Sequence, residues 1–551
     1  MKKIMTPWQR FINVLKLDKR DIKQIFYYAI FAGLVALTLP LGIQAIINLI
    51  QGAQVSTSWI ILVVLVTLGV AFQGILELMQ IRILENIQQK IFTRSSFEFA
   101  YRFPKIKFSE MHQRYPPELA NRFFDTLMIQ KGLSKVLLDF PAAILQIVFG
   151  LILLSLYHPF FIIYGLLLVI LVYIVFKFTA RRGMETSLKE SKNKYAVANW
   201  LQEIARSLTS FKLSGRTSLA MERNNALTDK YLEARENHFQ ILMQQFIQMI
   251  GFKVLVTAGL LLIGGLLVLN QEMNIGQFVA AEIIILLVIN SVEKLITGIE
   301  SFYDVLTSLE KIGEVVDKEL ESQEGTDPFE FKSTASISFD RIAFTDMNGN
   351  LILDSLSLDL VPTDRLYVDG PSGSGKTTLL KLLSGLIETT EGAIYINDYN
   401  FKGMRINAYR SHVGQVIPEQ MPFEGTILEN ITFGNKDIPI DTVNRVIKDI
   451  GLQKFVRSQA KGIDSPIFSQ GQSIPHTVSK RLLLARSIVH DPKILLLKDA
   501  LEHFEPQEAR DLMEYLAHRD RPWLLIASGQ NEDWKSVCNK TLNLNQDPFT
   551  L

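Results

Sequence analysis

Six long apolar stretches in the first part of the chain limit what it can fold into. They span residues 25–49, 58–79, 137–156, 160–178, 246–269 and 275–296. Each is close to the length of about 20 residues that a helix needs to cross the hydrocarbon core of a bilayer. Because helices satisfy their own backbone hydrogen bonds in lipid, we predict an all-α membrane domain with six spanning helices over residues 25–317.

The charges between these stretches predict their orientation. The turns at 51–57, 157–159 and 270–274 contain no lysine or arginine, whereas segment 1–24 and the connections near 80–136 and 179–245 are rich in both. By the positive-inside rule, the basic segments and both termini lie on the cytoplasmic side of a cytoplasmic membrane. Segment 1–24 also lacks a short apolar core with a cleavage site, so we expect the first apolar stretch to be retained.

The long inner connections carry apolar residues at helical spacing, which predicts cytoplasmic extensions of the membrane helices. We expect turning points near 111–117, where Pro116 and Pro117 break a helix, and near 211–216, at Ser214 and Gly215. Within the spans, Glu282 either lines a transport pathway, pairs with another helix or reaches the interface. The other polar residues at membrane depth are Glu77, Asp139, Lys253 and Asn290.

The composition indicates a membrane part joined to a soluble part. The chain has 551 residues, of which 48% are hydrophobic and 21% are charged. It is too apolar for an ordinary soluble enzyme and too charged to lie wholly in lipid. The net charge of +1 gives no support for attraction to nucleic acid. A single cysteine, Cys538, excludes an internal disulfide and a cysteine-based zinc site.

A phosphate-binding motif, GxxxxGK[ST], marks the soluble part. It occupies residues 370–377, between the apolar run 366–368 and the helical pattern 379–383. In this motif glycines let backbone N–H groups surround an anion, the lysine reaches the outer phosphates, and the final hydroxyl can bind Mg²⁺. The predicted nucleotide-binding residues are Gly370, Pro371, Ser372, Gly373, Ser374, Gly375, Lys376, Thr377 and Thr378.

The pattern around this motif predicts an α/β domain over residues 334–551, after a linker at 318–333. Apolar runs alternate with helical patterns, which is typical of a buried parallel sheet. The predicted strands are 337–339, 342–344, 356–360, 365–368, 393–396, 414–417, 494–497 and 523–527.

This order of parts resembles an ABC exporter half-transporter over nearly the whole chain. Segments 39–41 and 274–280 are similar to the subfamily that serves bacterial type I secretion and peptide export. The resemblance implies a polytopic helical domain fused to a P-loop NTPase domain, with ATP as ligand and Mg²⁺ at Thr377. It also implies a second half-transporter as partner, in a homodimer or heterodimer, and in that subfamily a periplasmic membrane-fusion adaptor. The turning points at 111–117 and 211–216 would be coupling helices that touch the ATPase domains.

By the same resemblance, the chain departs from the family where the chemistry occurs. The family strand that ends in Asp and then Glu ends here in Lys498 and then Asp499, so an ammonium replaces the carboxylate that holds the metal. A shift of one residue would instead put Asp499 at the metal position and Ala500 at the base position. Five further family elements are replaced: the LSGGQ signature by 474–478, the metal-sensing glutamine by Pro418, the switch histidine by Gly529, the adenine-stacking aromatic by Asp346 and the D-loop by 502–505.

These replacements predict a cassette that binds nucleotide but hydrolyses little or none, and they leave open whether the chain is an ATP hydrolase. Lys498 either lies against the β- and γ-phosphates in place of Mg²⁺ or turns to solvent, leaving a pocket that binds weakly or stays empty. We expect a subunit that exports a peptide, protein or lipophilic substrate. The alternatives are a nucleotide-binding scaffold or regulator that does not pump, and a conventional exporter with compensated substitutions.

Overall fold

A computed structural model describes residues 5–52, 57–111, 115–471, 474–529 and 533–544. The chain forms two compact units. The first comprises Met1–Lys105 and Gln113–Lys318, and the second comprises Ile106–His112 and Glu319–Leu551. Parts of the predicted turns at 51–57 and 111–117 lie outside the described residues, as do residues 1–4 of the basic segment.

All regular secondary structure in the described part of the first unit is helical. Its helices are α1 Pro7–Leu17, α2 Lys19–Ala36, α3 Thr38–Gln51, α4 Thr57–Arg102, α5 Pro116–Ala120, α6 Asp125–Ser134, α7 Phe140–Ser155, α8 Phe160–Arg206, α9 Leu208–Leu213, α10 Leu219–Leu269 and α11 Ile275–Val316. A π-helical turn, Lys135–Asp139, joins α6 to α7. Helix α11 contributes to both hydrophobic clusters of this unit, through Ile284, Val288 and Val292 in one and Val305, Leu306 and Leu309 in the other.

The predicted spans lie on these helices. Five helical stretches in the described part of the chain are long and apolar enough to cross a membrane: Lys19–Gln51, Thr57–Lys105, Pro116–Ser155, Leu219–Leu269 and Ile275–Val316. The remaining predicted span, 160–178, lies on α8, of which Phe160–Leu171 forms a shorter apolar segment.

Proline explains where the first span is interrupted. The segment predicted as one helix over 25–49 divides into α2 and α3, which meet at Leu37. Pro40 has no N–H to donate to the carbonyl group of Ala36, and its ring clashes with that carbonyl. Helix α2 therefore ends at Ala36.

The first turning point begins earlier than the predicted 111–117. Helix α4 ends at Arg102, and the 3₁₀ turns Phe103–Lys105 and Phe108–Met111 follow it. Pro104 disfavours helical geometry at the residue before it, so the helix ends ahead of the proline pair at 116–117. The second turning point, predicted at 211–216, falls within the break between α8 and α10, where Gly215 has a φ of +68°.

The second unit contains two main sheets. Its strands are β1 Ile337–Thr345, β2 Leu351–Leu360, β3 Arg365–Asp369, β4 Glu391–Ile396, β5 Tyr399–Asn400, β6 Val413–Val416, β7 Gly425–Thr426, β8 Pro466–Ile467, β9 Ile494–Lys498, β10 Leu524–Ser528 and β11 Lys540–Asn543. Its helices are α12 Lys376–Leu383, α13 Ile406–Ser411, α14 Ile427–Thr432, α15 Ile440–Asp449, α16 Gln453–Ser458, α17 His476–Ile488, α18 Pro506–Ala517 and α19 Trp534–Val537.

Only part of this unit is the predicted parallel sheet. Strands in the order β11-β3-β10-β9-β6 are all parallel, and β3, β9 and β10 are almost wholly buried. Strands in the order β2-β1-β4-β5 form a separate antiparallel sheet, so the prediction of a parallel sheet is wrong for 337–360 and 393–396. The five residues between β1 and β2 are too few for the crossover that parallel strands need.

The segment predicted as a linker, 318–333, makes ordered contacts within the second unit from Glu319 onward. Glu321 accepts two hydrogen bonds from the Arg410 guanidinium, at 2.6 and 2.8 Å. Phe329 is buried in the core of this unit. The backbone N–H of Lys107 also donates to the carbonyl oxygen of Glu319 at 2.9 Å, so segment 106–111 contacts residues that follow the membrane helices.

Candidate functional site

The phosphate loop lies between the end of β3 and the start of α12. Gly375 precedes α12 with a φ of +91°, a region in which side chains are strained. The apolar residues of α12 are buried, which fixes the N-terminus of the helix at the carboxyl edge of the sheet. Pro371, Ser372 and Gly373 are exposed, whereas Lys376, Thr377 and Thr378 are partly buried. The predicted loop is therefore exposed at 371–373 and ends in a helix N-terminus suited to an anion.

The side chain of Lys376 folds back over this loop. Its ammonium group donates to the carbonyl oxygen of Gly370 and, at 2.7 Å, to that of Pro371. Burial lowers the pKa of Lys376, and the positive charge of Lys498 lowers it further. A bound phosphate group would raise the pKa of Lys376 again, because it offers the ammonium an anionic partner.

Lys498 and Asp499 lie at the end of β9. Lys498 is the last residue of the strand, where it pairs with Ser528 of β10, and its side chain is 11% exposed. Its ammonium nitrogen lies 2.5 Å from a carboxylate oxygen of Asp499. Asp499 has a φ of +50°, and its N–H donates to the carbonyl oxygen of Ser528. The two residues thus form an ion pair at the edge of the sheet where the phosphate loop begins.

Three buried polar atoms near this edge have no hydrogen-bond partner among the described residues. They are the hydroxyl oxygens of Ser374 and Ser528 and the side-chain oxygen of Gln415. Ser374 is 2% exposed and belongs to the phosphate loop itself. Buried polar groups in native proteins normally have partners, so these atoms point to a ligand or water at the site.

The other replaced positions supply none of the groups that the resemblance implies. Pro418 follows β6 and Gly529 follows β10, and neither offers a side-chain oxygen or imidazole. The carboxylate of Asp346 accepts hydrogen bonds from the backbone N–H groups of Asn348 and Asn350, at 2.9 and 2.8 Å. It closes the turn between β1 and β2 and has no ring to stack on a base.

A cavity of about 590 Å³ lies beside this turn. Its lining includes Phe344 and Met347 at the turn, together with Ile387, Phe401 and, from segment 106–111, Phe108. Residues 370–378 do not line it. Phe344, the aromatic residue nearest Asp346 in sequence, lines this cavity.

The segment aligned with the family signature, 474–478, begins α17. Pro475 caps the helix and His476 is its first residue. The imidazole of His476 packs edge to face against that of His503, with ring centroids 5.1 Å apart. The signature segment, which the resemblance assigns to a contact across a dimer, thus carries a histidine that contacts His503 of the same chain.

In the first unit, Glu282 lies on an exposed face of α11. The structure brings another pair of charged residues together that the sequence did not indicate. The Lys253 ammonium of α10 lies 2.5 Å from the Glu293 carboxylate of α11. The sequence predicts Lys253 as a polar residue at membrane depth. It does not indicate Glu293 as the partner, because the two residues are 40 positions apart and no local pattern links them.

Comparison with known proteins gives matches to both units. A family described as the ABC transporter transmembrane region matches residues 24–292, and one described as ABC transporter matches residues 353–502. The chain is 27% identical over 296 residues to the alpha-hemolysin translocation ATP-binding protein HlyB of Escherichia coli O157:H7, covering 53% of this chain and 42% of HlyB. It thus spans less than half the length of that relative.

Two further matches cover more of the chain. It is 24% identical over 460 residues to a fatty acid ABC transporter ATP-binding/permease protein of Mycobacterium bovis, covering 81% of this chain and 71% of that protein. The solved structure of a bacterial Atm1-family ABC exporter with ATP bound superposes with a TM-score of 0.84 at 17% identity, covering 96% of this chain and 93% of that one. This likeness confirms the predicted fold class, a helical membrane domain fused to an α/β nucleotide-binding domain.

Proposed function

The chain belongs to the ABC transporter family, and from this premise we propose that it is a half-transporter of an exporter whose own cassette binds ATP but hydrolyses little or none. ATP binding follows from the family of residues 353–502 and is supported by the intact phosphate loop. The residues that we propose to hold the nucleotide are those of the loop, 370–378.

The ion pair at the end of β9 carries the proposal of weak hydrolysis. Phosphoryl transfer depends on charge neutralisation and on a positioned nucleophile. At this edge Lys498 presents an ammonium where the family has a metal-binding carboxylate, and Asp499 is held by that ammonium at 2.5 Å. A carboxylate that is engaged in this way is a poor base for water. The end of β9 at Lys498 supports the alignment in which Asp499 takes the base position.

The signature segment, 474–478, concerns the nucleotide site of a partner subunit. In the family this segment presents N–H groups to the nucleotide of the opposing cassette. Pro475 has no N–H, and the glycines of the family signature are absent from 474–478. We propose that the chain pairs with a second ABC half-transporter, and that the site which this segment would complete is weakened as well.

The proposed cargo is based on the relatives, and the proposed location on the distribution of basic residues. Relatives are named for alpha-hemolysin translocation and for fatty acids, which supports a peptide, protein or lipophilic substrate. The basic segments at the inner ends of the spans support a cytoplasmic membrane location with the cassette in the cytoplasm. Glu282 is proposed to line the pathway, and a periplasmic membrane-fusion adaptor is a candidate partner.

The proposal is tested by measuring ATP binding and ATP turnover on the full chain purified in detergent, alone and with the product of a neighbouring ABC gene. We expect ATP binding with turnover far below about 1 s⁻¹, an ordinary enzymatic rate. Turnover near that rate by the chain alone would refute weak hydrolysis.

The same ion pair favours a second candidate, a nucleotide-binding scaffold or regulator that does not pump. In that case ATP binding sets the conformation of the membrane helices without transport. Substrate uptake into inverted vesicles that contain both subunits distinguishes the two functions. Uptake that requires this chain supports the half-transporter, and unchanged uptake without it supports the regulator.

A further inference from the structure

We propose that the nucleotide pocket binds metal-free nucleoside triphosphate, and that the ammonium group of Lys498 takes the place of the Mg²⁺ ion. This inference rests on the proposed function, because it requires that the loop at 370–378 binds ATP.

The residues at the site do not fit a magnesium ion. Mg²⁺ requires oxygen ligands in octahedral geometry. Thr377 offers one hydroxyl, but the other two family positions hold Lys498 and Pro418, which offer no oxygen from their side chains. The carboxylate of Asp499 is occupied by the Lys498 ammonium at 2.5 Å. The described residues contain no group of three or more His, Cys, Asp or Glu side chains that could hold a metal.

Lys498 lies where the metal would be needed. Strands β3, β10 and β9 are adjacent and parallel, so their carboxyl ends share one edge of the sheet. The phosphate loop leaves β3 at this edge, and Lys498 ends β9 at the same edge. The side chain of Lys498 is 11% exposed, so it is largely withdrawn from solvent rather than turned toward it.

The charges balance without a metal. In the family a magnesium ion and one carboxylate together contribute one positive charge beside the β- and γ-phosphates. The Lys498 ammonium contributes the same charge alone, and it carries three hydrogen-bond donors for phosphate oxygens. A magnesium ion added beside this ammonium would be repelled by it.

The pocket also contains two polar groups that are available to bind an anion. The Lys376 ammonium is bound only to loop carbonyl oxygens in the described structure, and the Ser374 hydroxyl oxygen is buried without a partner. A triphosphate can accept hydrogen bonds from both groups. The loop amides, Lys376 and Lys498 together form a cationic edge that suits ATP bearing its full charge.

The test is ATP affinity of the full chain in detergent, measured by equilibrium dialysis in excess EDTA and in excess Mg²⁺. We expect ATP to bind in EDTA at least as tightly as in Mg²⁺, because chelation by Mg²⁺ leaves less of the metal-free nucleotide that the pocket accepts. If ATP binds with Mg²⁺ but more than about tenfold weaker in EDTA, this inference fails while the proposed function stands. If ATP binds under neither condition, the proposed function itself fails.

Variants separate the charge of Lys498 from its packing. Lys498→Met removes the charge and should weaken binding in EDTA by about tenfold or more, whereas Lys498→Arg should retain affinity. Lys498→Asp should bind only when Mg²⁺ is present. Lys540→Met is the matched control, because Lys540 pairs with Asp364 at the other edge of the same sheet, at 2.8 Å, and its loss should leave affinity unchanged.

Thermal unfolding without nucleotide establishes that each variant is folded. A folded Lys498→Met protein that binds ATP in EDTA as tightly as the unsubstituted chain would overturn the inference. If Lys498→Met does not fold, Lys498→Arg decides: retained affinity in EDTA supports the role of the charge, and metal-dependent binding by this variant contradicts it.

Discussion

Replacing Gly375 by alanine tests how tightly the phosphate loop is built, and Gly349 provides a matched control. Gly375 and Gly349 have φ angles of +91° and +87°, so an added Cβ is strained to a similar degree at both, at a cost of about 1–2 kcal/mol. At Gly349 the new methyl group meets no atom within 4 Å. At Gly375 it would lie 2.8 Å from Leu353 Cδ2 and 3.1 Å from the carbonyl oxygen of Ile352.

The contacts at Gly375 require β2 or the loop to move. Overpacking of this kind costs about 1–3 kcal/mol beyond the backbone strain. We therefore expect Gly375→Ala to destabilise the second unit by roughly 2–5 kcal/mol and Gly349→Ala by roughly 1–2 kcal/mol. Because the loop amides shift, Gly375→Ala should also weaken ATP binding by about tenfold or more, while Gly349→Ala should bind ATP normally.

The assay combines ATP affinity with the denaturant dependence of thiol labelling at Cys538, the single cysteine of the chain, which lies in the second unit. Cys538 is partly exposed in the folded protein, so its labelling accelerates when denaturant opens the unit, and the denaturant dependence of the rate reports the stability of this unit. Equal losses of stability and of ATP affinity in the two variants would refute the reasoning from close contacts.

Three further predictions concern other parts of the chain. Tyr409→Phe removes the buried hydrogen bond of 2.7 Å from the Tyr409 hydroxyl to the carbonyl oxygen of Leu383. In a denaturant titration it should destabilise the second unit by about 1–3 kcal/mol, and a loss below about 0.5 kcal/mol would contradict this. Partial burial raises the pKa of Cys538 to about 12, so native protein should be alkylated at pH 8 about 10³-fold more slowly than unfolded protein, and a ratio below about tenfold would exclude the raised pKa. Lys253→Met and Glu293→Gln should each lower the unfolding temperature in nanodiscs more than the double variant does, because each single change leaves one charge unpaired; additive losses would argue against the ion pair.

Much of the fold could be predicted from the sequence because its signals are local. Length and hydropathy predicted the membrane helices, and the glycine-rich motif predicted the phosphate loop. The interruption at Leu37 was also readable in principle, since Pro40 determines where α2 must end. The antiparallel sheet was missed because buried strands look alike in sequence, whether they run parallel or antiparallel.

The contacts of the candidate site depend on residues that are distant in sequence. The motif alignment identified Lys498 as non-standard, but only the structure shows that its ammonium is buried and paired with Asp499. The same holds for the bidentate contact of Arg410 with Glu321 and for the pair of Lys253 with Glu293. Each joins residues whose proximity arises from tertiary packing, which no local pattern encodes.

We propose that this cassette holds a triphosphate without cleaving it. The most direct measurement follows bound ATP and released phosphate in one sample of the purified chain with Mg²⁺, beside a Lys376→Ala variant that should bind no ATP. We predict saturable ATP binding by the unsubstituted chain and almost no phosphate release. Release at about 1 s⁻¹ that disappears in the Lys376→Ala variant would contradict it.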